Sequence, residues 1–103
     1  MPDVLMIGGG VIGLSLAWRL AQRGHSVQVI DRGQPGREAS WAGAGIIPAA
    51  VQRADQHPFE QLRGMACGLH EQWAAELREL TGIDSGFRRC GAIHLARTPC
   101  EAA

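Results

Sequence analysis

Val4-Leu5-Met6-Ile7-Gly8-Gly9-Gly10-Val11-Ile12-Gly13, continued by Leu14 to Gly24 and then by Ser26-Val27-Gln28-Val29-Ile30-Asp31, decides the fold of this chain. An apolar run, a glycine turn, a helical pattern, a second apolar run and a terminal acid follow one another within about 30 residues, the length of one βαβ unit. A glycine triplet alone is common in plain turns. The strand before it, the helix after it and the acid at its distance give the motif its specificity, and together they predict an α/β fold that opens on a dinucleotide site.

The glycines have separate tasks. Gly8 lets the backbone take positive φ where the strand turns into the helix, without a Cβ penalty. Gly10 lets a diphosphate approach the main chain at the helix start, where free N–H groups and the helix dipole favour an anion. Gly13 lets the helix sit close on the strand. Leu14, Leu16, Ala17, Leu20 and Ala21 form a wide apolar face, Arg19 and Arg23 fall late where cations suit the dipole, and Gly24 fits the C′ position. Asp31 lies about 18 residues beyond Gly13, near the spacing of a ribose-hydroxyl acceptor.

Composition narrows the chemistry. Ten basic residues, all arginine, balance ten acidic ones over 103 residues, so nothing suggests a nucleic-acid or anionic-membrane surface. The absence of lysine excludes a Walker lysine, a Schiff base and a lysine general base within these residues. The absence of tyrosine excludes the Tyr and Lys pair of short-chain dehydrogenases. Cys67, Cys90 and Cys100 make no C-x-x-C pair and are odd in number, against a disulfide framework or a cysteine-rich zinc site. His25, His57, His70 and His94 show no metal-ligand spacing and read as structural or solvated. Val4 to Trp18 is uncharged, but it is glycine-rich, too short to span a bilayer and preceded only by Asp3, so it is neither a membrane span nor a secretory leader. The expected location is the cytoplasm.

After Asp31, the turn residues Gly33, Pro35 and Gly36 take the chain away from the sheet. Arg37-Glu38-Ala39-Ser40-Trp41-Ala42-Gly43-Ala44-Gly45-Ile46-Ile47 follows, a run of small residues that lets main chain approach a flat ligand, with Ser40 able to donate to a phosphate. Trp41, Ile46 and Ile47 would be unfavourable left in water.

The G-G-G-V-I-G turn, the V-I-D-R strand end and E-A-S-W-A-G-A-G-I-I together resemble the start of the glycine oxidase and D-amino-acid oxidase family of FAD-dependent oxidoreductases. The likeness covers essentially the whole chain and is most specific over Val4 to Ile47. It implies that Gly8, Gly10, Val11 and Ile12 face the diphosphate and Asp31 the adenosine ribose, with Arg32 by the adenine and Gly13 counted in the same cofactor-binding set. Ala39 and Ser40 would reach the diphosphate or ribityl chain, and Ala44, Gly45 and Ile46 would border the isoalloxazine. It favours FAD over NAD, because an ordinary NAD domain has no need of the small-residue run. Asp31 disfavours a 2′-phosphate by repulsion.

From Phe59, apolar positions recur at Leu62, Ala66, Leu69, Trp73, Leu77 and Leu80, predicting a long amphipathic helix with Pro58 at N1, Gly82 at C′ and its stripe in a core. Gly64 and Gly68 weaken it locally or admit close packing. Phe87 to Cys90 and Ala92 to Ala96, around Gly91, suggest a short β-hairpin or one bulged strand. Arg88 and Arg89 read as solvated strand charges. Two parts are expected, 1–50 carrying the FAD-binding βαβ start and flavin-contact loop, and 51–103 carrying the long helix and the beginning of a substrate-side sheet.

Members of the resembled family are several times longer, and Thr98 to Ala103 reads as an interruption. The chain is therefore expected to be the N-terminal portion of an oxidase, incomplete relative to the family, either as a fragment or as a shortened reading frame. By the resemblance, the parent activity is oxidative deamination of glycine, sarcosine or a D-amino acid to an imino acid with release of hydrogen peroxide, with a place in thiamine biosynthesis. No catalytic residue is assigned within these 103 positions. Two alternatives stand beside this: an inactive fragment that at most binds a nucleotide, and a flavin dehydrogenase of the same superfamily. Too few elements are present to cover both faces of a parallel sheet, which predicts marginal stability or homo-oligomeric assembly through exposed apolar surface.

Overall fold

The computed structural model describes residues 1–50, 53–93, 95, 97 and 98. The elements run β1 (Val4–Ile7), α1 (Val11–Gln22), β2 (Val27–Ile30), α2 (Ala39–Ala42) and α3 (Pro58–Thr81). They fall into two units, Met1–Ile46 and Ile47–Ala103.

In the first unit, β1 and β2 pair in parallel, with Val4 opposite Val27 and Ile7 opposite Ile30. A parallel pair needs a crossover, and α1 supplies it. Asp3 and Ser26 clasp the start of the sheet: the Asp3 N–H donates to the Ser26 carbonyl at 2.9 Å, and the Ser26 N–H donates to Asp3 Oδ2 at 2.8 Å. At the other end the Gly8 N–H donates to the Ile30 carbonyl at 2.8 Å, carrying the ladder into the glycine turn. Val4, Met6, Val27 and Val29 are half-buried while Leu5, Ile7 and Ile30 are exposed, the period-2 pattern of a sheet covered by a helix on one face only.

α1 ends as its sequence predicts. Gly24 takes φ 87°, its N–H donates to the Ala21 carbonyl at 3.0 Å, and the His25 N–H reaches the Leu20 carbonyl at 3.1 Å. These are the two bonds of a Schellman finish, with Gly24 at C′. α2 is a single turn that the sequence reading did not foresee. The N–H groups of Trp41 and Ala42 both donate to the Glu38 carbonyl, at 3.0 and 3.1 Å.

The second unit is organised on α3, which starts at Pro58 and closes at Gly82, as the sequence predicts. His57 caps it through Nδ1, which accepts the Phe59 N–H at 3.2 Å. Gly82 turns left-handed at φ 73°, and its N–H donates to the Arg78 carbonyl at 2.8 Å. An ion pair between Glu60 and Arg63 at 2.8 Å runs along the first turn. Gly64 is buried on this helix, whereas Gly68 faces open space.

Two expectations for this unit are corrected. Phe59, Leu62, Leu69, Leu77 and Leu80 of the apolar stripe are exposed, so within the described residues the stripe lines no core. Trp73 alone of the large stripe residues is half-buried, since a helix buries a stripe fully only against a second element. The hairpin expected over Phe87–Ala96 is likewise absent among the described residues, because no ladder pairs residues 87–93. Those residues hold to α3 by side chains instead: Arg89 pairs with Glu71 at 3.0 Å, and Phe87 stacks on His70 with ring centroids 6.4 Å apart. Gly91 bends at φ 74°, as a turn there requires. His94, Ala96 and Cys100 lie outside the described residues. Cys67 and Cys90 are free thiols.

Among the described residues no hydrophobic side chain is fully buried. No helix among them is long and apolar enough to cross a membrane.

Candidate functional site

The C-terminal edge of the parallel pair is where ligands bind in open α/β sheets, and here it gathers the chain's most constrained groups. Asp31 follows β2 directly. Its Oδ2 accepts the Gly9 N–H at 2.6 Å and its Oδ1 accepts the Gly33 N–H at 2.8 Å. One carboxylate thus ties the glycine turn to the start of the next loop. The Gly33 N–H, then the Gly9 N–H, hold the Asp31 carboxyl below its ordinary value of 3.8, against an opposing effect of desolvation and with a lesser contribution from the Arg32 charge.

Gly9 is buried between two such ties. Besides its bond to Asp31, its carbonyl accepts the Gly36 N–H at 2.7 Å. A Cβ on Gly9 would stand 3.0 Å from Pro35 Cβ and 3.2 Å from Asp31 Oδ2. The loop 33–36 therefore packs down on the glycine turn. Gly8 has φ 102°, as the turn out of β1 demands. At Gly13 the constraint is contact, since a Cβ there would fall 2.1 Å from the Gly8 carbonyl oxygen.

α1 opens without a side-chain cap of its own at Gly10. Ser40 supplies an acceptor from 29 positions away, with Oγ taking the Val11 N–H at 2.9 Å. A Cβ on Gly10 would meet that same Oγ at 3.2 Å. The amides of Ile12 and Gly13 belong to the first turn, which has no internal acceptors for them, and so suit an incoming anion.

These groups border a cavity of about 510 Å³, within the range of small-molecule sites. Of the residues singled out in the sequence, Gly8, Gly10, Asp31, Arg32, Ala39 and Ser40 line it. Val11, Ile12 and Gly13 line a shallower recess that shares Ile7, Gly8, Gly10 and Ser40 with the first. Ala44, Gly45 and Ile46 line neither; Gly45 bends at φ 71° and Ile46 is exposed. Arg32 turns to Glu38, with Nη2 to Oε2 at 2.5 Å and Nε to Oε1 at 3.2 Å. Sequence reasoning gave no individual role to Gly9, Gln34 or Gly36, and took Arg37 and Glu38 only as part of the 37–47 run. The Pro35-Gly36 pair was a usable signal, because a second glycine turn so soon after β2 brings main chain back to the first.

The donor set fits the diphosphate and adenosine of a dinucleotide. Unsatisfied helix-start amides offer bonds to an anion, glycines stand where side chains would fill the approach, and an ionised carboxylate at the strand end retains acceptor positions for sugar hydroxyls. Among the described residues no cluster of three metal-ligating side chains occurs.

Comparison with known proteins agrees with this chemistry. The family described as FAD dependent oxidoreductase matches residues 3–103. The glycine oxidase of Geobacillus kaustophilus is 41% identical over 100 residues, covering 97% of this chain and 26% of that protein. The glycine oxidase of Pseudomonas putida is 54% identical over 93 residues, covering 90% of this chain and 26% of its own length. The bifunctional protein ThiO/ThiG of Trichormus variabilis is 34% identical over 91 residues, covering 88% and 14%. The crystal structure of the Bacillus cereus glycine oxidase superposes with a TM-score of 0.74 at 41% identity, over 85% of this chain and 23% of that one. The chain thus spans about a quarter of the length of the glycine oxidases it matches.

Proposed function

The chain belongs to the FAD-dependent oxidoreductase family, and from that premise we propose that its first unit holds the adenosine diphosphate part of FAD in an amine oxidase acting on glycine, on a small secondary amine such as sarcosine, or on a D-amino acid. A place in thiamine biosynthesis follows from the same reading, supported by the likeness to ThiO/ThiG proteins. The observation that carries it is the pairing of two anchors on one cavity: Asp31, fixed by the Gly9 and Gly33 amides, and Ser40, fixed on the Val11 amide.

In this reading Gly10, Ile12 and Gly13 offer main-chain amides to the diphosphate, Val11 borders it with its own N–H held by Ser40, and Ser40 adds its hydroxyl proton while its oxygen stays on Val11. Asp31 accepts from ribose hydroxyls through lone pairs that Gly9 and Gly33 leave free. Arg32 and Glu38 border the adenine side as a closed pair. Ala39 continues the wall, and Ala44, Gly45 and Ile46 meet the flavin ring. When bound, the flavin supplies the redox step on the C–N bond, and these residues supply binding and orientation. None of them is assigned a proton-transfer role.

Equilibrium titration of the purified chain with FAD, followed by quenching of flavin fluorescence, tests the binding reading. Saturable binding displaced by ADP is expected. Hydrogen peroxide release on adding glycine, in the presence of FAD, tests the oxidase reading separately. Failure of both FAD and ADP to bind under conditions where far-UV circular dichroism reports the helix content expected for α1 and α3 together overturns the proposal.

A further inference from the structure

We propose that Arg37, laid on the indole of Trp41, is the cationic partner of the cofactor diphosphate in this cradle; the assignment rests on the flavin reading above. The Arg37 guanidinium carbon stands 4.1 Å from the centroid of the Trp41 ring. Stacking of this kind engages the face of the guanidinium and leaves its in-plane N–H donors pointing outward. Arg37 lines the same cavity as Gly8, Gly10 and Ser40.

The charges around that cavity leave this role to one residue. Asp31 is anionic and engaged by two amides. Arg32 turns to Glu38, which takes two of its donors. The first turn of α1 carries no acidic side chain and the chain has no lysine. Among the described residues no carboxylate pairs with Arg37. A doubly anionic diphosphate at the start of α1 would meet only the partial positive charge of the helix end without it.

Backbone anchors fix the pair in place. On one side the Gly36 N–H donates to the Gly9 carbonyl at 2.7 Å, and the Arg37 N–H to the Gln34 carbonyl at 3.2 Å. On the other, Ser40 is tied to Val11 at 2.9 Å, and the Trp41 N–H to the Glu38 carbonyl at 3.0 Å. Arginine and indole are therefore both tethered to the glycine turn and the start of α1, and stacking removes in advance rotamer freedom that a loose arginine would lose on binding.

The test is FAD titration of the full chain at low and high salt, with far-UV circular dichroism on each variant. Arg37→Gln is expected to weaken FAD binding about tenfold or more at low salt and to flatten its salt dependence, with the dichroism unchanged. Arg37→Lys keeps the charge and retains the salt dependence, at an affinity below wild type. Trp41→Leu also retains the salt dependence while losing several-fold in affinity. Wild-type affinity in Arg37→Gln overturns the assignment, and so does a loss of affinity that leaves the salt dependence intact, which is the mark of a structural role. A wild-type chain that binds neither FAD nor ADP overturns the flavin reading itself, a distinguishable result.

Discussion

Replacing Gly13 by alanine separates two effects that sequence-level reasoning merges. In a helix interior this change ordinarily stabilises by about 1 kcal/mol, because alanine loses less backbone freedom. At Gly13 the added Cβ would lie 2.1 Å from the Gly8 carbonyl oxygen, 3.3 Å from the Gly8 carbonyl carbon and 3.8 Å from Met6 Cγ. The first distance is more than about 1 Å inside ordinary contact. Its partner is backbone at the end of β1, so no side-chain rotation relieves it and α1 must lift off the strand. Overpacking of this kind costs about 1–3 kcal/mol, with the upper end fitting a backbone clash, so the net loss is about 1–2 kcal/mol. Gly68→Ala in α3 is the control, since nothing stands within 4 Å of its Cβ, and it should gain about 1 kcal/mol. Urea titration followed by far-UV circular dichroism reads both. FAD affinity should fall at least about tenfold in Gly13→Ala, because the amides proposed to hold the diphosphate move with the helix. A Gly13→Ala chain as stable as Gly68→Ala and binding FAD as wild type does would refute the contact argument.

Asp31→Asn replaces one acceptor oxygen by a donor facing an N–H group, and should weaken FAD binding about tenfold or more in the same titration. Because the folded carboxyl sits below its ordinary value of 3.8, its contribution to the turn is fully present above that pH and is lost as pH falls through the lower folded value. Dichroism of the wild type should change below pH 3.8 in a step that Asp31→Asn lacks, and a shared step would show that another group governs it. Ser40→Ala leaves the Val11 N–H without its acceptor and should destabilise the start of α1 by about 1 kcal/mol, with Ser40→Thr restoring most of it. Faster amide exchange at Val11 is the readout, and unchanged exchange would mean that Ser40 is not its cap. Among the described residues no hydrophobic side chain is fully buried, so neither unit closes a core of its own. Calorimetry of the dilute chain should therefore show a broad, weak transition, and a sharp one at high temperature contradicts this.

Local chemistry made the elements of both units legible. The glycine turn, the Gly24 and Gly82 stops and Pro58 at N1 each follow from a single residue's backbone preference, and the structure meets all of them. The hairpin and the buried stripe depend on partners, which no residue type encodes. Among the described residues, Phe87 to Ile93 has strand composition, but a strand exists only where a second row of N–H and C=O groups faces it. The amphipathic period of α3 reports which face avoids water and says nothing of what covers it. α2 escaped notice for the opposite reason: Ala39 to Ala42 is too short for any period, and its one turn depends on the Glu38 carbonyl being free.

In the candidate site, spacing pointed to Asp31 for a reason narrower than the one the structure displays. The spacing predicts a ribose acceptor, yet both carboxylate oxygens already hold amides, one from the glycine turn and one from the loop that returns over it. A carboxylate has about four acceptor positions, so shaping the turn and receiving sugar hydroxyls are compatible. They are also mutually dependent, since the amides that fix the carboxylate aim its remaining lone pairs, and the same bond to Gly9 sets the backbone whose next amides are proposed to hold the diphosphate. Ser40 repeats the logic at the other anchor, where one oxygen accepts from α1 and its proton remains to be donated. A residue read from sequence as a contact to ligand is thus first a contact within the protein, and the glycines between these two residues are the positions at which any side chain would separate them.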